Sequence, residues 1–223
     1  MILEPKPPAA RALAPVAVVR SGDLERAGQA WGRRTMSVVP GPGVALLATD
    51  PPLAPQSAFD LADRLASHVP TVPVQAGALF DDADAARRFV RAGATRFDEL
   101  LEVAQHHEEW SIRLRYAGHP AEPPGDETGD SGYLGRRRRE NAQRDGIPPW
   151  ALADLERCSA ALGPIVEQTR WLAGTEGDAS IALLVARGTD DRVERTFRSF
   201  ASGLASMSVL SGPYPIYSFC TLA

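Results

Sequence analysis

The sequence predicts an α+β protein built as two small domains, and three observations carry that reading. Trp110–Tyr116 alternates without a break: Trp110, Ile112, Leu114 and Tyr116 fall on one side, Ser111, Arg113 and Arg115 on the other. A period of two with one charged face describes a strand in an antiparallel sheet that keeps one side wet. Strand-like and helix-like segments are interleaved with no regular βαβ beat, which favours α+β over a doubly wound sheet. Finally, the chain has 223 residues, enough for two domains of about 100 residues each.

Residues 1–15, rich in proline and alanine, read as a flexible lead-in with no apolar run long enough for a signal peptide. The N-terminal α+β domain is expected over 16–108. It opens with a short strand at Val16–Val19, a weakly amphipathic helix at Asp23–Trp31, and strands at Met36–Val39 and Val44–Leu47. The two strands are separated by Pro40-Gly41-Pro42-Gly43, a strong turn signal. Asp50–Gln56 carries three prolines and reads as a loop, with Ser57 as N-cap of a helix bearing Phe59, Leu61, Leu65 and Ala66. Thr71–Leu79 reads as a strand and its exit. Asp81 and Asp82 then open a helix whose stripe of Ala86, Phe89, Val90, Gly93, Phe97, Leu100, Leu101 and Ala104 recurs every three or four residues. That helix is expected to end between Gln105 and Glu108.

The C-terminal α+β domain is expected over 109–210. After the Trp110–Tyr116 strand comes a loop at 118–132 composed of proline, glycine and acid, read as mobile. Tyr133–Arg144 has a helical pattern and is intensely basic. Trp150–Leu172 reads as a long helix, with Pro164 predicting a kink or a boundary. Ile181–Ala186 is a short continuous apolar run, expected as a central strand. Asp190 and Asp191 cap a helix with Val193, Phe197, Phe200 and Leu204, and Met207–Leu210 is the last strand. The remaining 211–223 reads as a docked tail. Pro213 and Pro215 forbid helix or central-strand structure there, while Tyr214, Ile216, Tyr217 and Phe219 bury a large apolar area only by packing on something.

Composition narrows the function class. Hydrophobic residues make up 44% and charged residues 23%, which suits a soluble core-forming chain, and the net charge of −4 argues against a whole-protein nucleic-acid footprint. Cys158 and Cys220 have no redox or metal spacing, so a reducing, cytoplasmic setting fits, and no segment reaches transmembrane length. His106-His107-Glu108-Glu109 is the one cluster of potential metal ligands, but neighbouring side chains diverge on any regular element. It reads as a solvated helix end. No dinucleotide, Walker or nucleophile-elbow motif is present, so neither a catalytic site nor a cofactor is expected. Arg136, Arg137, Arg138 and Arg139 form the most conspicuous charge run. They read as a solvated or self-paired face beside the acidic loop, with an RNA-binding or regulatory module as the alternative function.

Four stretches, in order, resemble the gas vesicle GvpL/GvpF family. The tail Gly212-Pro213-Tyr214-Pro215-Ile216-Tyr217-Ser218-Phe219 resembles the family's Gly-Pro-Trp-Pro-Pro-Tyr-Ser-Phe ending. Val72–Phe80 resembles its Leu-Pro-Val-Arg-Phe-Gly-Thr-Val-Phe segment, Glu109–Leu114 its following strand, and Gly132-Tyr133-Leu134 with the arginines beyond it the Tyr-Leu-x-x-Arg helix opening. This sequence departs from the pattern at Gln75, Ala78, Tyr214 and Ile216. The resemblance implies two α+β domains, the C-terminal one ferredoxin-like. It also implies a non-enzymatic accessory or minor structural role in gas vesicle assembly, with the shell protein GvpA and other Gvp proteins as partners; on charge and hydropathy neither nucleic acid nor membrane is expected as a partner. The residues expected to meet those partners are Arg136–Arg139, Arg113, Arg115, Tyr214, Tyr217 and Phe219.

Overall fold

The computed structural model describes residues 12–50, 52–115, 149–175 and 178–220. The basic helix read at Tyr133–Arg144 and the loop read at 118–132 lie outside them. The chain divides into two compact units. One is made by the chain up to His106 together with the segment from Pro215, and the other by His107–Tyr214. Both are α+β, each built on a four-stranded antiparallel sheet.

In the first unit the strands β1 (Ala14–Arg20), β2 (Ser37–Pro40), β3 (Val44–Thr49) and β4 (Val72–Pro73) lie in the order β2-β3-β1-β4. The two inner strands are buried at nearly every position, which is why both read as unbroken apolar runs rather than alternating ones. The β2–β3 turn closes with the Gly41 amide donating to the Val44 carbonyl at 2.9 Å, and Gly43 takes φ +72. Helices α1 (Leu24–Trp31), α2 (Pro55–Ala66) and α3 (Ala83–His106) complete the unit. Trp31, Leu61 and Leu65 pack with Val16, Val19 and Leu47 in its core.

Two expectations fail here. Helix α2 starts at Pro55 rather than after Ser57, because a proline at the first helical position gives up only an amide that would be orphaned anyway. The strand read at Thr71–Leu79 shrinks to Val72–Pro73, since Pro73 has no amide to donate and Gly77, at φ +87, turns the chain away. By contrast the acidic start of α3 holds: the Ala85 amide donates to Asp82 Oδ1 at 2.7 Å. The segment from Pro215 buries Ile216 completely and forms one 3-10 turn, Tyr217–Phe219.

The second unit runs β5 (His107–Arg115), α4 (Pro149–Leu162), β6 (Val166–Thr175), β7 (Asp178–Ala186), α5 (Asp190–Ala201) and β8 (Met207–Tyr214). Its sheet order is β6-β7-β5-β8, so the first strand lies between the third and fourth. Among the described residues the elements of this unit follow the order β-α-β-β-α-β. Both helices cover one face: Leu155, Cys158 and Leu162 of α4 and Val193 and Phe197 of α5 pack on Trp110, Ile112, Leu114, Ile181 and Leu183.

The long helix read at Trp150–Leu172 is instead a helix and a strand. It stops at Leu162, before Gly163-Pro164, and β6 begins at Val166. Strand β6 carries register shifts between Val166 and Gln168 and between Leu172 and Thr175. Such bulges insert unpaired residues and break the period of two, leaving apolar positions that mimic helical spacing. The solvated helix end read at His106–Glu109 is also overturned. Helix α3 gives way to β5 at His107, and Glu108 and Glu109 are only 6% and 5% exposed. Helix α5 takes Thr189 as its N-cap residue, with Asp190 and Asp191 in the first turn. Ser211–Tyr214, read as the start of the tail, continues β8; an edge strand tolerates Pro213 because its outward amides have no ladder partner.

Candidate interaction surface

Among the described residues, helices cover only one face of the second sheet. Because side chains alternate along a strand, the opposite face carries Ser111, Arg113 and Arg115 from β5, Ser180, Ala182 and Leu184 from β7, and Arg170 and Leu172 from β6. Strand β8 adds Val209, directly opposite Arg113, and Met207, directly opposite Arg115. The inner strand is buried at Ala182 and Leu184, whereas Met207 and Val209 are 62% and 59% exposed. Apolar side chains that open to solvent beside arginines form a surface suited to protein contact more than to chemistry.

The cations on this face differ in their engagement. Arg115 Nε donates to Asp178 Oδ1 at 3.1 Å, which ties it to the start of β7. Arg113 is exposed and has no ion-pair or hydrogen-bond partner among the described residues. It is therefore free to meet an anionic group.

Of the other residues expected at a partner surface, Tyr214 ends β8 opposite the buried Glu109. Tyr217 is already engaged within the first unit. Its hydroxyl donates to Asp63 Oδ1 at 2.9 Å, and its ring meets Phe59 edge-on at 5.5 Å. Phe219 is half-buried in the same 3-10 turn. Arg136, Arg137, Arg138 and Arg139 lie outside the described residues. The structure thus brings Arg113 and Arg115 together on one sheet face and places Tyr217 and Phe219 in the other unit. Met207 and Val209 were missed at the sequence level: β8 was legible as a strand, but nothing local shows that it stands at the sheet edge.

Ionisable groups elsewhere do not converge as a ligand set. His106 Nε2 meets Glu102 Oε1 at 3.3 Å, while its neighbour His107 meets Glu167 Oε2 at 2.9 Å. Among the described residues no group of three or more His, Cys, Asp or Glu is placed to hold a metal, and no helix is long and apolar enough to cross a membrane. Among the described residues Glu108 is the one strongly perturbed carboxyl. Burial, then a hydrogen bond to the Asp190 side chain and that group's charge, push it up to about 7, against weaker opposition from Trp110 and Arg187. Burial, with the Asp154 charge beside it, also pushes the Cys158 thiol up to about 12, far from a reactive thiolate.

The family model for gas vesicle synthesis protein GvpL/GvpF matches residues 60–221. The crystal structure of GvpF from an Anabaena species superposes with a TM-score of 0.66 at 11% identity, covering 96% of this chain and 98% of that one. GvpF from Microcystis aeruginosa gives a TM-score of 0.61 at 10% identity, covering 96% of this chain and 100% of that one. At such identities the structures show a shared fold. No curated protein matches the sequence.

Proposed function

Given that the chain belongs to the GvpL/GvpF family of gas vesicle synthesis proteins, we propose that it is an accessory or minor structural protein that binds the shell protein GvpA during vesicle assembly. The observation that carries the reading is the helix-free face of the second sheet, where exposed Met207 and Val209 stand opposite Arg115 and Arg113. A subunit of a gas-filled shell must present apolar surface to the gas, and before assembly that surface is an aggregation hazard. A partner with a mixed apolar and cationic face covers such a surface while remaining soluble itself. The role is one of binding and not of catalysis, and its setting is the cytoplasm at the growing vesicle, among other Gvp accessory proteins.

The test is co-purification of GvpA with the full chain, paired with an aggregation assay of GvpA alone and in its presence. The expected result is a stable complex and suppressed aggregation. Neither complex nor suppression would overturn the reading.

A further inference from the structure

We propose that the free edge of β8 is a strand-docking site for an extended partner segment that carries apolar residues and carboxylates on the same face. Among the described residues, strand β8 is the last strand of its sheet and pairs only with β5. Soluble proteins normally blunt such an edge with lysines, inward charges, bulges or proline, since its unpaired amides and carbonyls template another strand. From Met207 to Tyr214 the sequence Met-Ser-Val-Leu-Ser-Gly-Pro-Tyr has no charged residue. Pro213 blunts the far end alone and leaves Met207–Gly212 open to pairing.

The side chains on this edge say what kind of strand fits. Met207 and Val209 point to the helix-free face and are 62% and 59% exposed. A strand added alongside would set its own alternate side chains about 5 Å from them, where apolar residues pair favourably. Directly behind Val209 on the same face stands Arg113, exposed and without a partner among the described residues. A cation one strand away draws a carboxylate on that face of the added strand and repels an ammonium group. A second copy of this chain fits less well. Its β8 offers no carboxylate, and pairing two β8 edges would leave both Arg113 side chains unneutralised. Backbone pairing gives affinity in this mode, and the alternate pockets and charges give the choice of partner.

The proposal deepens the assembly reading and rests on it only for the identity of the natural partner. Its test is fluorescence anisotropy of the full chain with a labelled eight-residue peptide, Ser-Val-Ser-Glu-Ser-Val-Ser-Glu, whose valines and glutamates share one strand face, against a counterpart with lysine in place of glutamate. Saturable binding of the glutamate peptide alone is expected, weakened by about tenfold or more in Val209→Lys and in Arg113→Glu, the latter now preferring the lysine peptide. Both positions are exposed, and unchanged melting curves show that the variants fold. Equal binding of the two peptides, or affinities that ignore both substitutions, would overturn the docking site. So would a concentration-dependent dimer abolished by Val209→Lys in a chain that binds neither peptide. Peptide binding without GvpA co-purification would defeat the assembly reading and leave the edge standing. GvpA capture undiminished in Val209→Lys, with no peptide binding, would do the reverse.

Discussion

Asp154, buried in α4, holds Ser206 at the entrance to β8: its Oδ2 accepts the Ser206 amide at 2.9 Å and the Ser206 hydroxyl at 2.7 Å. Its other oxygen accepts the Ala205 amide at 3.2 Å. A helix carboxylate thereby fixes where the edge strand begins, 52 positions later in the chain. Asp154→Ala strands two buried groups on Ser206 without an acceptor, and each such group costs about 1–3 kcal/mol. We expect the second unit to lose about 2–6 kcal/mol in urea unfolding, with the Ser206 amide losing hydrogen-exchange protection. Asp154→Asn, which keeps an acceptor, should recover part of that loss. Undiminished protection at Ser206 would show that the carboxylate does not hold the strand.

Tyr217 supports the first unit through both its ends. The ring lies edge-on to Phe59, and the hydroxyl bonds Asp63, whose carboxyl burial nevertheless raises above its ordinary value. Tyr217→Phe should cost about 0.5–1.5 kcal/mol for the hydrogen bond. Tyr217→Ala should cost more, by about 0.5–1.5 kcal/mol for the aromatic pair in addition to the lost burial. Thermal melts of the two variants check the order. If removing residues 212–223 abolished vesicles while leaving the melt unchanged, the segment would be a binding element instead of a structural one.

Glu108 gives the second unit a pH dependence of definite sign. Its carboxyl is raised from 4.5 to about 7 in the folded protein, so the folded state holds a proton that the unfolded chain gives up earlier. That contribution to stability is fully present below about 4.5 and is lost as the pH climbs through about 7. Above that point two carboxylates, Glu108 and Asp190, face each other with Arg187 3.8 Å from Glu108 as the nearby cation. Unfolding midpoints should therefore fall as the pH rises from 4.5 to about 7, and Glu108→Gln should flatten that limb of the profile. A midpoint that rises over the same range would refute the assignment.

How much of this was legible in the sequence depended on whether local pattern and tertiary position agreed. They agree along α3, where the stripe through Ala86, Val90, Phe97, Leu101 and Ala104 is the buried face, and along β5, where Trp110, Ile112 and Leu114 are buried and Arg113 and Arg115 are not. They part at β6, whose two register shifts erase the alternation that identifies a strand. They part again at Glu108 and Glu109, acidic residues whose burial comes from the sheet around them and not from any neighbour in sequence. The candidate surface was half visible. Arg113 and Arg115 could be placed on a wet face, but the exposure of Met207 and Val209 follows from strand order, which no local period encodes.

Gly212 offers the most direct test of the family-like ending, because its glycine has a specific steric cause. It takes φ +143, a conformation that side-chain-bearing residues rarely adopt. A Cβ at this position would lie 2.8 Å from Trp110 Cδ2 and 3.0 Å from the Glu109 carbonyl oxygen. The first contact presses on a ring that is 3% exposed in the core, and the second on backbone, so neither neighbour can yield without moving β5. The β5–β8 register shifts at this point, between Glu109 and Ser111, and the close approach of the two backbones there is what a glycine permits. Gly212→Ala should thus destabilise the second unit by about 1–3 kcal/mol from overpacking, with a further cost from the backbone conformation. Near-ultraviolet circular dichroism should report an altered environment for the indole of Trp110. If Gly212→Ala instead unfolds at the parent midpoint with an unchanged tryptophan signal, the glycine in this ending serves a partner and not the strand that carries it.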